Sequence, residues 1–269
     1  LKELAKLPGH DKVFDVKAEG NRLYTAEGHD GFGVYELDGA APFKEVARLP
    51  KISGEKNLAL YVQPAVPGWL FCSDRRGIEL YDIRALPAFK HVLHSGSCPG
   101  WDKYLADASP DGRHFAFNNA NTSLKWFDLA AVPAPRQTVE TVVNRLSLSN
   151  GICTFRDGLS IASANGSYAL LRPGEGDPAD GSKWKYLTLP PAFPGDGRRG
   201  TINGIPRSDG KRVVFTSRIE RRAALYDFTD AERPTLLNAW TFSGNPDIAD
   251  FHAGKVVIPC GYAGVLLQK

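Results

Sequence analysis

The stretch GIELYDIRALPAF, Gly77–Phe89, decides the fold, because the chain repeats it at even intervals. GFGVYELDGAAPF precedes it at Gly31–Phe43, and TSLKWFDLAAVPA follows at Thr122–Ala134. Aligned on their aromatic residues Tyr35, Tyr81 and Phe127, the three copies lie 46 residues apart. Each is an alternating run, then an acidic residue, then a short segment ending in proline. Val34-Tyr35-Glu36-Leu37 leads to Pro42, Leu80-Tyr81-Asp82-Ile83 to Pro87, and Trp126-Phe127-Asp128-Leu129 to Pro133. Leu225-Tyr226-Asp227-Phe228 leads to Pro234, and Tyr168–Leu171 and Val265–Gln268 are fainter copies.

A second marker keeps the same beat. Tight turns built on Gly20, Gly68, Gly112, Gly158, Gly210 and Gly254 each precede a short β-rich run, such as RLYTA, WLFCS or RVVFT. Glycine supplies the positive φ that two-residue hairpin turns require. Each unit therefore reads strand, glycine turn, strand, polar loop, motif strand, proline turn, outer strand. The outer strands include Lys44–Leu49 and Lys90–Ser95.

Four strands per ~45 residues is the unit of a propeller blade. One such small sheet cannot bury both faces alone, so neighbours must stack on it. No long stretch carries a 3.6-residue apolar period, so helices play no large part. The expectation is an all-β chain: a single domain over 1–269, a six-bladed β-propeller with four-stranded blades. The last unit stops at its third strand, and Leu1–Leu7 resembles an outer strand. We expect this N-terminal strand to complete the last blade and close the ring, which removes two raw sheet edges.

The aliphatic–aromatic–acidic–aliphatic strand followed by proline resembles the LVIVD repeat of bacterial and archaeal surface β-propellers. That resemblance implies a propeller, often exported or joined to other domains, with no catalytic residue set common to the family. The signatures of WD-type and kelch propellers are absent from the sequence.

Composition narrows the function. The 33 basic and 30 acidic residues balance to a net charge of +3, too even for the basic stripe of a nucleic-acid binder. No apolar run approaches the ~20 residues of a membrane span. The chain begins at Leu1 and contains no methionine, so an upstream segment is expected to precede it. The spacing of Cys72, Cys98, Cys153 and Cys260 matches no zinc pattern. The four read first as buried free thiols, because cysteine is so often simply core; Cys72 and Cys98 fall near one rim and are the one pair placed to meet. A bridge there would agree with an extracellular, periplasmic or cell-surface location.

Strand direction sorts the loops into two rims. Glycine and proline turns share a plain one. The loops between second and third strands, and those linking blades, share a richer one around the channel mouth, where ligands favour concave positions. This rim includes SRIERR (Ser217–Arg222), GNPD (Gly244–Asp247) and CGY (Cys260–Tyr262). The residues read as opening each inner strand are Lys12, Asn57, Lys103, Asn144, Asn203 and Asp247. Such polar groups either contact a ligand or form a water-bridged channel lining. Trp101 reads as a stacking platform or as packing between blades. Arg75, Arg76, Arg198, Arg199, Arg218, Arg221 and Arg222 form an arginine-rich rim, suited to carboxylate, sulfate or phosphate through guanidinium forks. His10-Asp11 and His29-Asp30 lie in two loops of one blade.

Three functions follow. The leading one is a non-catalytic ligand- or protein-binding scaffold, with no cofactor, holding a small molecule, glycan or protein at the rim. Another is a metal-dependent hydrolase or lactonase, with Asn144, Asn203 and Asp247 as oxygen ligands for Ca²⁺. That set is similar to the channel site of six-bladed calcium-dependent lactonases, but has one carboxylate, with Lys12 and Lys103 nearby. The third is recognition of an anionic glycan or peptide by the arginine rim.

Overall fold

A computed structural model of the chain describes residues 12–37, 43–52, 54, 58–65, 68–74, 77–95, 206–218, 220–246 and 248–268, with Leu159 and the strands between 104 and 189. The chain divides into two compact units, Leu1–Tyr104 and Leu105–Lys269. Among the described residues there is no α-helix, and no helix long and apolar enough to cross a membrane.

In the first unit, β1 (Asp15–Glu19), β2 (Arg22–Ala26), β3 (Phe32–Glu36) and β4 (Lys44–Leu49) form one antiparallel sheet in chain order. A second sheet follows with the same order: β5 (Ala59–Ala65), β6 (Trp69–Asp74), β7 (Gly77–Asp82) and β8 (Lys90–Ser95). The expected hairpin turns are present, with Gly20 at φ +59° and Gly68 at φ +95°. A Cβ on Gly68 would also run into the Arg84 side chain, so both conformation and space demand glycine there.

The two sheets stack through Tyr24, Ala26, Phe32, Val34 and Leu49 of the first and Val62, Leu70, Cys72, Tyr81 and Ile83 of the second. The antiparallel bridge Gly28–Ala59 ties the link between them.

From the start of β9 onward the pattern repeats. β9 (Tyr104–Ala108), β10 (His114–Asn119), β11 (Ser123–Asp128) and β12 (Arg136–Val142) make a third sheet. β13 (Ser149–Thr154), β14 (Ser160–Ala164), β15 (Ser167–Arg172) and β16 (Lys185–Leu189) make a fourth. β17 (Arg207–Ser208), β18 (Arg212–Ser217), β19 (Arg222–Asp227) and β20 (Thr235–Thr241) make a fifth. β21 (Asp250–His252), β22 (Lys255–Pro259) and β23 (Val265–Leu267) make a three-stranded last sheet.

The fifth sheet shows why blades must stack. Its strands alternate with period two, yet both faces are apolar. Val213, Phe215, Ala224 and Tyr226 pack with Leu159, Ile161 and Leu170 of the fourth sheet. Val214, Ala223 and Leu225 pack on the other side with Ala249, Val256 and Ile258 of the sixth. Burying a side chain such as Phe215 contributes about 1.5–3 kcal/mol, and this sheet collects that gain on both sides.

The repeated motif marks a recurring irregularity. Pairing between motif strand and outer strand shifts between Val34 and Tyr35, Leu80 and Tyr81, Trp126 and Phe127, and Leu225 and Tyr226. In each case the outer strand carries one extra residue: Val46, Val92, Thr138 or Leu237. The fainter copy in β15 pairs with β16 without a shift. The motif thus accompanies a β-bulge at its aromatic position, and a bulge bends a strand and re-aims its side chains.

Two expectations need amendment. Lys12, read as opening the first inner strand, comes three positions before Asp15, where β1 begins; Asn57, Lys103, Asn144, Asn203 and Asp247 lie outside the described residues. Cys72 does not face the rim. It is a free, fully buried thiol in the core between the first two sheets, pushed well above its usual pKa by burial and by the nearby Glu79 and Asp74 charges. Cys260 is likewise free and buried. The expected docking of Leu1–Leu7 and the partner Cys98 lie outside the described residues.

Candidate functional site

Three loops of the rim singled out above converge in the second unit. The turn between β18 and β19 brings Arg221. The link from β20 to β21 brings Ser243, Gly244 and Asn245. The turn between β22 and β23 brings Gly261, Tyr262 and Ala263. Together they line a cleft of about 500 Å³, within the range of small-molecule sites.

Backbone contacts fix this meeting. The Phe242 N–H donates to the Arg221 carbonyl at 2.8 Å, joining the link to the first turn. Gly261–Ala263 is a 3₁₀ turn closed on itself: Ala263 N–H donates to the Cys260 carbonyl at 3.1 Å, and Cys260 N–H to the Gly264 carbonyl at 2.7 Å. The link lies so close to this turn that a Cβ on Gly244 would overlap the Cys260 carbonyl oxygen and crowd Ala263. Glycine is therefore a condition of the cleft's floor.

The side chains that remain are suited to binding. Arg221 adopts φ +55°, and the other described non-glycine residue with positive φ is Ala253. Such a conformation is unfavourable for a side-chain-bearing residue and gathers at functional sites. The guanidinium donates one long bond, Nη1 to the Ser243 carbonyl at 3.3 Å, and is paired with no carboxylate among the described residues. Tyr262 is fully exposed at the lip, and Asn245 is exposed beside it. The arrangement offers a cation with spare donors, an amide and an aromatic face. Among the described residues it contains no nucleophile paired with a base.

Of the residues proposed from sequence, Lys12 is exposed and precedes β1, in the first unit. Arg218 occupies the turn after β18, partly buried, and does not line the cleft. Asn57, Arg75, Trp101, Lys103, Asn144, Asn203 and Asp247 lie outside the described residues, and with them the whole candidate Ca²⁺ set. Among the described residues no group of three or more His, Cys, Asp or Glu is placed to hold a metal. His29 offers its backbone carbonyl to Lys51 Nζ at 2.6 Å, while His10 and Asp11 are outside the described residues.

Two polar networks in the first unit escaped the sequence reading. Glu27 is fully buried and receives hydrogen bonds from the Thr25 hydroxyl, from the Tyr35 hydroxyl at 2.6 Å and from Arg48 Nη1 at 2.6 Å. Burial works to raise its pKa, but the bonds from Thr25, Tyr35 and Arg48 outweigh burial and hold it below the ordinary glutamate value. Burial, then the Glu27 contact, pushes the Tyr35 phenol up. The second network is centred on buried Glu79, whose two oxygens contact His91 Nε2 and His94 Nδ1, both at 2.7 Å. Both networks cross the motif and outer strands at a bulge, a feature that spacing alone does not reveal.

No family model matches this chain, and no curated protein matches it either. Solved structures do. The chain is similar to the computationally designed Ika8 protein, with TM-score 0.66 and 12% identity, covering 99% of this chain and 74% of that one. It is similar to a catalytically inactive virginiamycin B lyase from Staphylococcus aureus solved with quinupristin, with TM-score 0.65 and 11% identity over 97% and 81% of the two chains. The β-propeller domain of Cps50 (Swd1) from Myceliophteria thermophila gives TM-score 0.67 and 11% identity over 97% and 85%. At this identity the likeness establishes a β-propeller fold and nothing about activity.

Proposed function

We propose that this chain is a non-catalytic binding propeller that holds its ligand at the rim of second-to-third-strand loops and blade links, in the cleft of Arg221, Asn245 and Tyr262. The observation that carries this reading is the convergence of three loops of that rim on one concave site whose cation and aromatic ring are open to solvent. The cation favours the arginine-rim form of the reading, with an anionic glycan or peptide as ligand. The finer architecture belongs to the same proposal: six blades, with Leu1–Leu7 adding the fourth strand beside β23. The last sheet supports it: it has three strands with β23 at its edge, and Leu1–Leu7 resembles the outer strands that fill that place elsewhere. An exported location rests on the LVIVD likeness alone.

Thermal unfolding of the full chain against a panel of sugars, small anions and peptides tests the binding reading. A ligand at 100 times its Kd raises stability by about 2.7 kcal/mol, and the resulting shift should shrink in Arg221→Ala and Tyr262→Ala. Stabilisation by Ca²⁺ that disappears in Asp247→Ala, together with lactone turnover, would overturn it in favour of the metal-dependent hydrolase.

A further inference from the structure

We infer that the cleft between Arg221 and Tyr262 is built for an acidic saccharide, a sugar carrying a carboxylate or sulfate. The inference rests on the cleft being a ligand site, and it names the class of ligand.

Each element of the cleft matches one part of such a molecule. Arg221 spends one donor on the Ser243 carbonyl at 3.3 Å, and the rest of its fork remains for a carboxylate or sulfate. The unfavourable backbone at Arg221, φ +55°, is held by the Phe242 N–H bonded to its carbonyl at 2.8 Å. The guanidinium is therefore anchored at its root, and less freedom is lost when an anion binds. Tyr262 presents an aromatic face at the lip, the surface on which the C–H face of a sugar ring packs.

The remaining lining decides between ligand classes. Among the described residues it consists of Ser243, Gly244, Asn245, Gly261 and Ala263, with no branched aliphatic or second aromatic side chain. A site for apolar peptide side chains would need such a lining. Ser243 and Asn245 instead offer a hydroxyl and an amide, which together donate and accept and so match the hydroxyls of a sugar. The glycine-enforced approach of Gly244 to the Cys260–Ala263 turn keeps the floor low enough for a ring to lie across it. A bare inorganic anion would use Arg221 and the polar donors and leave the Tyr262 ring idle.

The test is titration calorimetry on the full chain with four probes: a galacturonate disaccharide, a sulfated galactose disaccharide, their uncharged galactose counterpart, and inorganic sulfate. Either acidic disaccharide should bind, and should weaken as salt rises. Its Kd should rise about tenfold in Arg221→Ala, about fivefold in Tyr262→Ala, and little in Tyr262→Phe. Sulfate alone should bind far more weakly. Folding of each variant is checked by its urea midpoint, and Arg221→Lys supplies a second variant that keeps the charge without the fork. If the neutral disaccharide binds equally well and is lost in Tyr262→Ala, the cleft stands as a ligand site and the acidic class is overturned. Sulfate binding as tightly as the disaccharides would reduce the site to an anion pocket and overturn the saccharide. No probe binding, or binding indifferent to both positions, would overturn the class and the cleft together.

Discussion

His91 and His94, three residues apart on β8, grip opposite oxygens of one buried carboxylate, that of Glu79. Residues three apart on a regular strand face opposite sides. Here Val92 is the extra residue of a bulge, which flips the alternation and returns both rings to the same face. Glu45 and Arg48 repeat the geometry on β4 around Val46, with Arg48 Nε donating to Glu45 at 3.2 Å. The arrangement is inverted between the two sheets. The first sets one cation among Glu27 and Glu45; the second sets one carboxylate between two imidazoles.

The bulge should matter more than the side chain it carries. Deleting Val92 restores regular alternation and turns His91 away from Glu79, whereas Val92→Ala leaves the register intact. We expect the deletion to lower stability by about 2–3 kcal/mol more than Val92→Ala, the scale of losing hydrogen bonds to a buried charge. Urea unfolding of both variants measures this, and equal losses would mean that the clamp contributes nothing.

Glu27 should shape the acid limb of stability. Its pKa in the folded state lies below the ordinary value. Its contribution is therefore present in full above the unfolded glutamate pKa of about 4.3 and is lost as pH falls through the lower folded value. Glu27→Gln should flatten the stability profile in that window and lower the plateau at neutral pH. A variant with an unchanged acid slope would refute the assignment.

Tyr226 should act at the opposite end. Burial pushes its phenol up to about 12. A raised value means that its contribution is complete below pH ~10, the unfolded value, and fades as pH climbs toward 12. Tyr226→Phe should unfold less readily than the parent at pH 11, read by far-ultraviolet circular dichroism. Identical alkaline unfolding would exclude this residue as the cause.

Two glycines should respond differently to the same change. Gly244→Ala drives a methyl into the Cys260 carbonyl and Ala263 and should cost about 1–3 kcal/mol, the range for overpacking. Gly20→Ala meets no atom within 4 Å and carries only the penalty of φ +59°, about 1 kcal/mol. Ligand binding at the cleft should be lost in the first and kept in the second. Comparable urea midpoints and binding would contradict the close approach at Gly244.

Removing Leu1–Leu7 tests ring closure. The shortened chain should melt at lower temperature and self-associate through β23, and the free peptide LKELAKL added in trans should reverse both. Unchanged melting and a monodisperse product on size exclusion would separate the N-terminal segment from that edge.

Much of the architecture was already legible in the residues. The even spacing of Tyr35, Tyr81 and Phe127, the turn glycines at 20, 68, 210 and 254, and the order of four strands all reappear in the structure. They were legible because strand alternation and turn conformation are local properties, written within a few neighbouring residues. The rim was legible in outline too: SRIERR, GNPD and CGY stand out as its polar loops, and all three feed the cleft. Which arginine lines it was not legible. Arg218 and Arg221 are equivalent by composition, and the left-handed backbone that distinguishes Arg221 arises where one loop is held against another.

Sequence alone therefore determined that this chain repeats a small four-stranded sheet whose two faces both need a neighbour. Tertiary structure decided what that repetition places together: the Glu79–His91–His94 clamp, the buried Glu27 network, and the meeting of Arg221 with Tyr262. The reason is physical. Periodicity dictates which face a residue occupies only while the register is regular, and a single bulged residue or a close loop contact, each set by packing between separate segments, reassigns it.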